Sequence, residues 1–187
     1  MSSQLNREAA LQLLKEYNES ESLLNHGLAV SGVMAHFSEL EGEKKEYWEI
    51  VGLLHDLDYE KYPDEHCHHV RELLAPEGID EADIAAIISH GYGITTEETA
   101  PATDMEKSLF TVDELTGIVQ AYALMRPEGL DGMTVKSLKK KFKDKHFAAK
   151  CNRDIIKKGF DMLGLDGGIV MQCCIDGMQA HKEELGF

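Results

Sequence analysis

The sequence predicts an all-α protein, a bundle of about eight or nine helices. Apolar residues recur at three- and four-residue spacing through most of the chain, which is the period of an amphipathic helix. No stretch alternates apolar and polar residues over the length of a strand, and no internal repeat is present. Helix stops and starts such as Pro76-Glu77-Gly78 and Thr103-Asp104-Met105-Glu106 punctuate the pattern.

At 187 residues the chain fits one domain, 1–187, with a core that needs no disulfides. The four cysteines, Cys67, Cys151, Cys173 and Cys174, match neither a zinc knuckle nor a disulfide framework. They read as thiols of a cytoplasmic protein, mostly buried. Nothing approaches 18 consecutive apolar residues, so no membrane span is expected. Met1 to Glu8 holds no apolar core of a signal peptide. The net charge of −15 argues against binding a nucleic-acid polymer. That charge is uneven: residues 136–158 carry +8 and the remainder −23.

The first helix spans Asn6 to Tyr17, with Leu5, Ala9, Leu13 and Tyr17 on one stripe. Ser20 or Ser22 can cap a second, from Leu23 to Leu40. There His26, Val30, Val33, Met34 and Phe37 follow the 3.6 period, so His26 faces the interior as a ligand or as a core residue bonded to a carbonyl. Gly27 and Gly32 cost helix propensity and belong where a backbone or ligand comes close. Glu43 to Leu57 forms a third helix that ends in the pair His55-Asp56. A fourth starts near Pro63 and carries His66, His68 and His69 in its first turns.

Asp80 opens a fifth helix, with Asp83 as a capping-box variant, and His90 closes it before Gly91. Gly91 to Ala102 is loop. The capping box at Thr103 opens a long helix that stops before Pro127. Asp113 lies on its inner, mostly apolar side, where a carboxylate needs a cation or several donors. Helices over Val135 to Lys145, Asn152 to Leu163 and Gly168 to Glu184 complete the chain.

His26, His55, Asp56 and Asp113 therefore come from three helices with apolar inner faces. If those helices pack together, four ligands converge on one cation. Imidazole and carboxylate together suit a divalent Zn, Fe, Mn, Co or Ni ion.

The ordered pattern of Leu24-Asn25-His26-Gly27, Gly52-Leu53-Leu54-His55-Asp56 and Thr111-Val112-Asp113-Glu114-Leu115-Thr116-Gly117 resembles the HD-domain superfamily of metal-dependent phosphohydrolases. The likeness is greatest to its small bacterial members. It implies an HD core over 20–125 with a C-terminal helical extension, 126–187, packed on it. It also implies hydrolysis of a small phosphorylated molecule, such as a nucleotide, by metal-activated water. Mg joins the metals it allows. Some relatives hold two ions with two further histidines. His66 and His90 stand in the matching order, with His69 and then His68 as alternatives to His66. Asp56 would then bridge the ions. The other reading has one ion, with His66 and His90 lining the pocket.

Beside Asp56, Asp58 and Glu114 are the carboxylates placed to take a proton or orient water. Many relatives read His-Asp, an apolar residue, Gly and Lys, whereas here the run is His55-Asp56-Leu57-Asp58-Tyr59-Glu60-Lys61. The phosphate-meeting Lys is absent from its usual place, so Lys61, Arg126 or a C-terminal Lys is the substitute. The basic run from Lys136 is first a solvated helix face; its second reading is a field that draws an anionic substrate in. A di-iron oxygenase built on the same six ligands and a non-catalytic metal-holding domain are the alternative functions.

Overall fold

A computed structural model describes residues 5–187. The part of the leader reading that concerns Met1 to Gln4 lies outside the described residues. Among the described residues there are nine α-helices and no strand, only an isolated bridge between Tyr92 and Thr96. The protein is all-α. No helix among these residues is long and apolar enough to cross a membrane.

The helices are α1 (Arg7–Tyr17), α2 (Glu21–Glu41), α3 (Lys45–Leu54), α4 (Val70–Leu74), α5 (Glu81–Ile88), α6 (Asp104–Leu124), α7 (Val135–Lys143), α8 (Arg153–Leu163) and α9 (Gly167–Ala180). Three single turns of 3₁₀ helix lie at Pro63–Glu65, Ala75–Glu77 and Ser89–Gly91. The central element is α2, which packs against α3, α6 and α9. Its residues from Gly27 to Ala35, with Phe37 and Ser38, are all buried. A helix apolar around its whole circumference must be enclosed by others. Gly42 ends it in the left-handed conformation, φ +70°, and its N–H donates to the Ser38 carbonyl.

Small residues let the neighbours of α2 approach closely. A Cβ on Gly27 would meet Leu14 at 2.9 Å, one on Gly32 would meet His181 at 2.8 Å, and one on Gly177 would lie 2.7 Å from Val33 Cα. Gly52 of α3 sits over Ser31, where a Cβ would be 2.9 Å from the Ser31 Cα. This crossing brings His55, three residues on, to His26. The other long helix, α6, starts with the full capping box: Thr103 accepts from the Glu106 amide, and Glu106 accepts from Thr103. It packs on α2, α8, α9 and the turn at Ser89–Gly91.

Two stretches near the site differ from the sequence reading, and α9 ends at Ala180 rather than Glu184. The third helix stops at Leu54 and gives way to turns over residues 55–61. The expected helix over the histidine run is shortened to α4, which begins only at Val70. His66 is extended, with ψ 140°, and Cys67 has φ +73°. A helix through both would carry His66 away on a regular surface. Instead the buried Asp58 carboxylate accepts from His66 Nδ1 and from the His69 amide, which fixes the kink. Asp83, three residues after Asp80, is buried and accepts the Tyr47 hydroxyl at 2.8 Å.

The Gly52–Ser31 crossing yields a test. Gly52→Ala forces α3 off α2 and should destabilise the protein by about 1–3 kcal/mol, the usual cost of overpacking. Because His55 rides on that helix end, metal retention should fall along with the melting temperature. An unchanged melting temperature would refute the close approach.

Candidate metal centre

Each candidate ligand is placed by local structure. His26 lies in the second turn of α2, and Asp113 lies in the middle of α6. His55 is the C-cap of α3, still in helical geometry (φ −60°, ψ −40°), and the chain turns directly after it. That turn lets the adjacent His55 and Asp56 aim at one place, which two successive residues inside a helix do not do. His66 occupies the kink before α4, and His90 the 3₁₀ turn after α5.

The structure brings six of these side chains together. His26 Nε2 lies 2.9 Å from Asp113 Oδ1 and 3.2 Å from His55 Nε2. Asp56 Oδ2 is 3.6 Å from His26 Nε2 and 3.4 Å from His55 Nε2. The other oxygen, Asp56 Oδ1, faces a second group, 3.2 Å from His66 Nε2 and 3.6 Å from His90 Nε2. These two imidazoles are themselves 3.0 Å apart, Nε2 to Nε2. One carboxylate thus divides its oxygens between two clusters. The ligand atoms of His26, His55, Asp56 and Asp113 all lie within 4.8 Å of one another, as do those of His66, Cys67 and His90.

Hydrogen bonds behind the ligands fix which nitrogen carries the proton. Carbonyls only accept, so His55 Nδ1–H donates to Gly52 O at 2.8 Å and His90 Nδ1–H to Ile87 O at 2.7 Å. His66 Nδ1–H donates to Asp58 at 2.7 Å. All three neutral imidazoles then present the Nε2 lone pair to the centre, the arrangement expected of metal-binding histidines. Lone pairs and carboxylate oxygens facing one another at about 3 Å repel unless a cation lies among them. The donor set therefore fits divalent ions of the Zn, Fe, Mn, Co and Ni kind.

Without an ion, protons do this work. Burial opposes charge on His55, yet the Asp56 and Asp113 carboxylates push it up to about 9. Burial likewise opposes charge on His66, which Asp56 and Asp58 raise to about 12. Burial alone would raise Asp56 and Asp113; the facing imidazoles hold both well below the usual carboxylate range.

The centre opens into a cleft of about 530 Å³, walled by Leu23, Tyr59, Pro63, Ile94, Thr95, Glu114, Gly117, Lys150 and Cys151. Glu114 is at the wall, where its Oε2 accepts the Asn152 amide at 2.9 Å, and burial pushes it up. Asp58 is fully buried on His66, so it orients that imidazole and does not face the cleft. Lys61 stands over the Tyr17 ring, 4.2 Å from its centroid, outside the cleft. Arg126 is also outside: it donates to the Gly129 and Asp131 carbonyls beside a separate groove. His68 Nε2–H donates to the Thr95 carbonyl at 3.1 Å on the loop edge, and His69 stacks on Tyr62 between Glu65 and Glu72.

Of the basic run, Lys136, Lys139, Lys140 and Lys143 line a groove of their own, and Arg153 binds carbonyls of residues 142–151. Of the ten Lys and Arg between residues 136 and 158, only Lys150 reaches the cleft wall. Sequence reasoning includes Lys150 in the basic run but does not single it out, because it follows α7 in an irregular turn where no periodicity assigns a direction. Cys67 was missed. Its neighbour His66 was the sole hint.

The lone-pair geometry predicts that metal binding expels protons. Apparent affinity should rise from pH 6 to pH 9, because an ion must displace protons that His55 and His66 still hold there and that displacement becomes easier as proton concentration falls. Calorimetry in buffers of different ionisation enthalpy should detect at least one proton released per ion. His55→Ala and Asp56→Ala should each lose metal. Unchanged metal content in both, or affinity independent of pH, would refute the centre.

The comparisons with known proteins agree with this architecture. The family model described as HD domain matches residues 23–141, from α2 through most of α7. No solved structure matched the chain. With an ordered His26, His55-Asp56 and Asp113 centre on a helical bundle, and a family match over more than half its length, the chain belongs to the HD domain family.

Proposed function

We propose that this protein is a metal-dependent phosphohydrolase acting on a small phosphorylated molecule, a nucleotide being one such substrate. The observation that carries the reading is the Asp56 carboxylate, with one oxygen turned to each cluster at the floor of an open cleft. Divalent ions, when bound to such a set, lower the pKa of water to about 7 and polarise phosphoryl oxygens.

The chain's own residues would do the rest. Six histidine and aspartate side chains, three of them held from behind by Gly52, Ile87 and Asp58, bring acceptors to the floor without reorganisation. Lys150 at the wall offers a cation to a phosphate in a protein that is otherwise acidic. Glu114 accepts the Asn152 amide on Oε2, which leaves Oε1 to hold or pass a proton beside Asp113. Tyr59 and Ile94, 42% and 46% exposed, give the non-phosphate part an apolar rim to cover.

A panel of phosphate monoesters and nucleotides, tested with each of Mn, Fe, Co, Zn, Ni and Mg, checks the reading. Phosphate release should need metal and vanish in Asp56→Ala. Lys150→Ala should raise KM about fivefold, the equivalent of about 1 kcal/mol for one exposed charge contact. Its KM should also lose part of its salt dependence, while Lys140→Glu with Lys143→Glu, on the other groove, should leave KM alone. Oxygen consumption by the iron form with no phosphate released would overturn the hydrolase reading in favour of an oxygenase. Full metal loading with no turnover would favour a metal-holding domain.

A further inference from the structure

Cys67 directly follows His66 and has a φ of +73°. For a residue with a Cβ this conformation is uncommon and marks a site held by its surroundings. The kink turns the thiol inward, and the residue is 1% exposed. Its Sγ is 3.8 Å from His90 Nε2 and accepts the Thr95 hydroxyl at 3.3 Å. Gly91 leaves the necessary room, because a Cβ there would lie 2.5 Å from the Cys67 sulfur. A buried cysteine that merely fills space sits among apolar neighbours. Cys67 touches the apolar core, but its sulfur also faces the His90 imidazole and the Thr95 hydroxyl.

We propose that Cys67 is a thiolate ligand of a second ion held by His66, His90 and the Asp56 oxygen that faces them, and that it makes this half of the centre select soft ions. The inference rests on the two-ion reading of the centre. Zn–S bonds of about 2.3 Å and Zn–N bonds of about 2.0–2.1 Å place tetrahedral donors about 3.3–3.6 Å apart. The 3.0 Å between His66 and His90 and the 3.8 Å between Cys67 and His90 bracket that range. Binding replaces the S–H bond by a sulfur–metal bond, and the proton leaves to solvent. The thiolate then accepts the Thr95 O–H.

The consequence is a centre whose two halves differ in softness. His26, His55, Asp56 and Asp113 offer nitrogen and oxygen only. The His66, Cys67 and His90 half adds a sulfur, which favours Zn, Co or Fe over Mg and Mn.

The test uses the full chain loaded with Zn or Co, with ions per chain counted by elemental analysis. X-ray absorption at the zinc edge should show one sulfur per two ions, at about 2.3 Å. The cobalt form should show a near-ultraviolet thiolate-to-cobalt charge-transfer band. Cys67→Ser should lose the band and weaken the second ion at least tenfold while keeping the first. Cys151→Ser should keep the band, since that thiol also lines the cleft. The absorption measurement on the unaltered protein needs no variant, so a misfolded variant does not shelter the idea. Two ions with no sulfur around them would overturn the Cys67 assignment and leave the two-ion reading standing. A single ion, with or without sulfur, would overturn both. A band that survives Cys67→Ser would overturn the assignment alone.

Discussion

The convergence of acceptors on Asp56 is the constraint on which the rest of the molecule depends. Four imidazole nitrogens lie within 3.6 Å of its two oxygens. None of this is stable by itself, because lone pairs crowded in a buried place repel. The fold must therefore do two things at once. It has to hold the groups rigidly enough to keep them together, and it has to leave a cation room. The bonds from His55 to Gly52, from His90 to Ile87 and from His66 to Asp58 meet the first need. They also fix the protonated nitrogen away from the centre, so one interaction settles both orientation and chemistry.

Helix ends, more than helix faces, supply the candidate ligands. His55 and Asp56 leave the end of α3, His66 stands before α4, and His90 follows α5. A helix end has unsatisfied backbone carbonyls, and those carbonyls are what the imidazoles of His55 and His90 use. Only His26 and Asp113 come from helix interiors, and both of their helices are enclosed by neighbours. The close crossing at Gly52 and Ser31 is thus tied to the site as much as to packing. Any side chain there separates α3 from α2, and with them His55 from His26.

Asp58 illustrates how burial decides a role. A carboxylate two residues from a ligand invites a catalytic reading, but it is fully enclosed and spent on His66 and the His69 amide. It stabilises the kink that a regular helix would have erased. That kink turns His66 inward, gives Cys67 its left-handed conformation and leaves His68 and His69 outside. Charge follows the same logic. The segment at +8 spreads around its own groove and into carbonyl caps, and Lys150 alone lines the cleft. Net charge of a segment says nothing of direction, since a helix presents its lysines on every side that solvent reaches.

The sequence by itself determined the helical class and the capping box at Thr103, because hydrophobic period and helix punctuation are local and survive without tertiary context; it offered His26, His55, Asp56 and Asp113 as candidate ligands through their inward positions and their likeness to the HD pattern. It also determined that Gly27 and Gly32 mark close approaches, since a glycine inside a helix costs propensity that only contact offsets. Only the tertiary structure decided which of three neighbouring histidines turns inward, that Asp56 divides its oxygens, that Asp58 lies behind His66 and that Lys61 and Arg126 stand away from the cleft. These depend on a kink closed by a residue eight positions upstream and on loops whose directions no period encodes. Cys67 belongs to the same class: its place beside His90 is set by a turn at +73° and by the missing Cβ of Gly91, two facts that exist only once α5 and the kink are packed together.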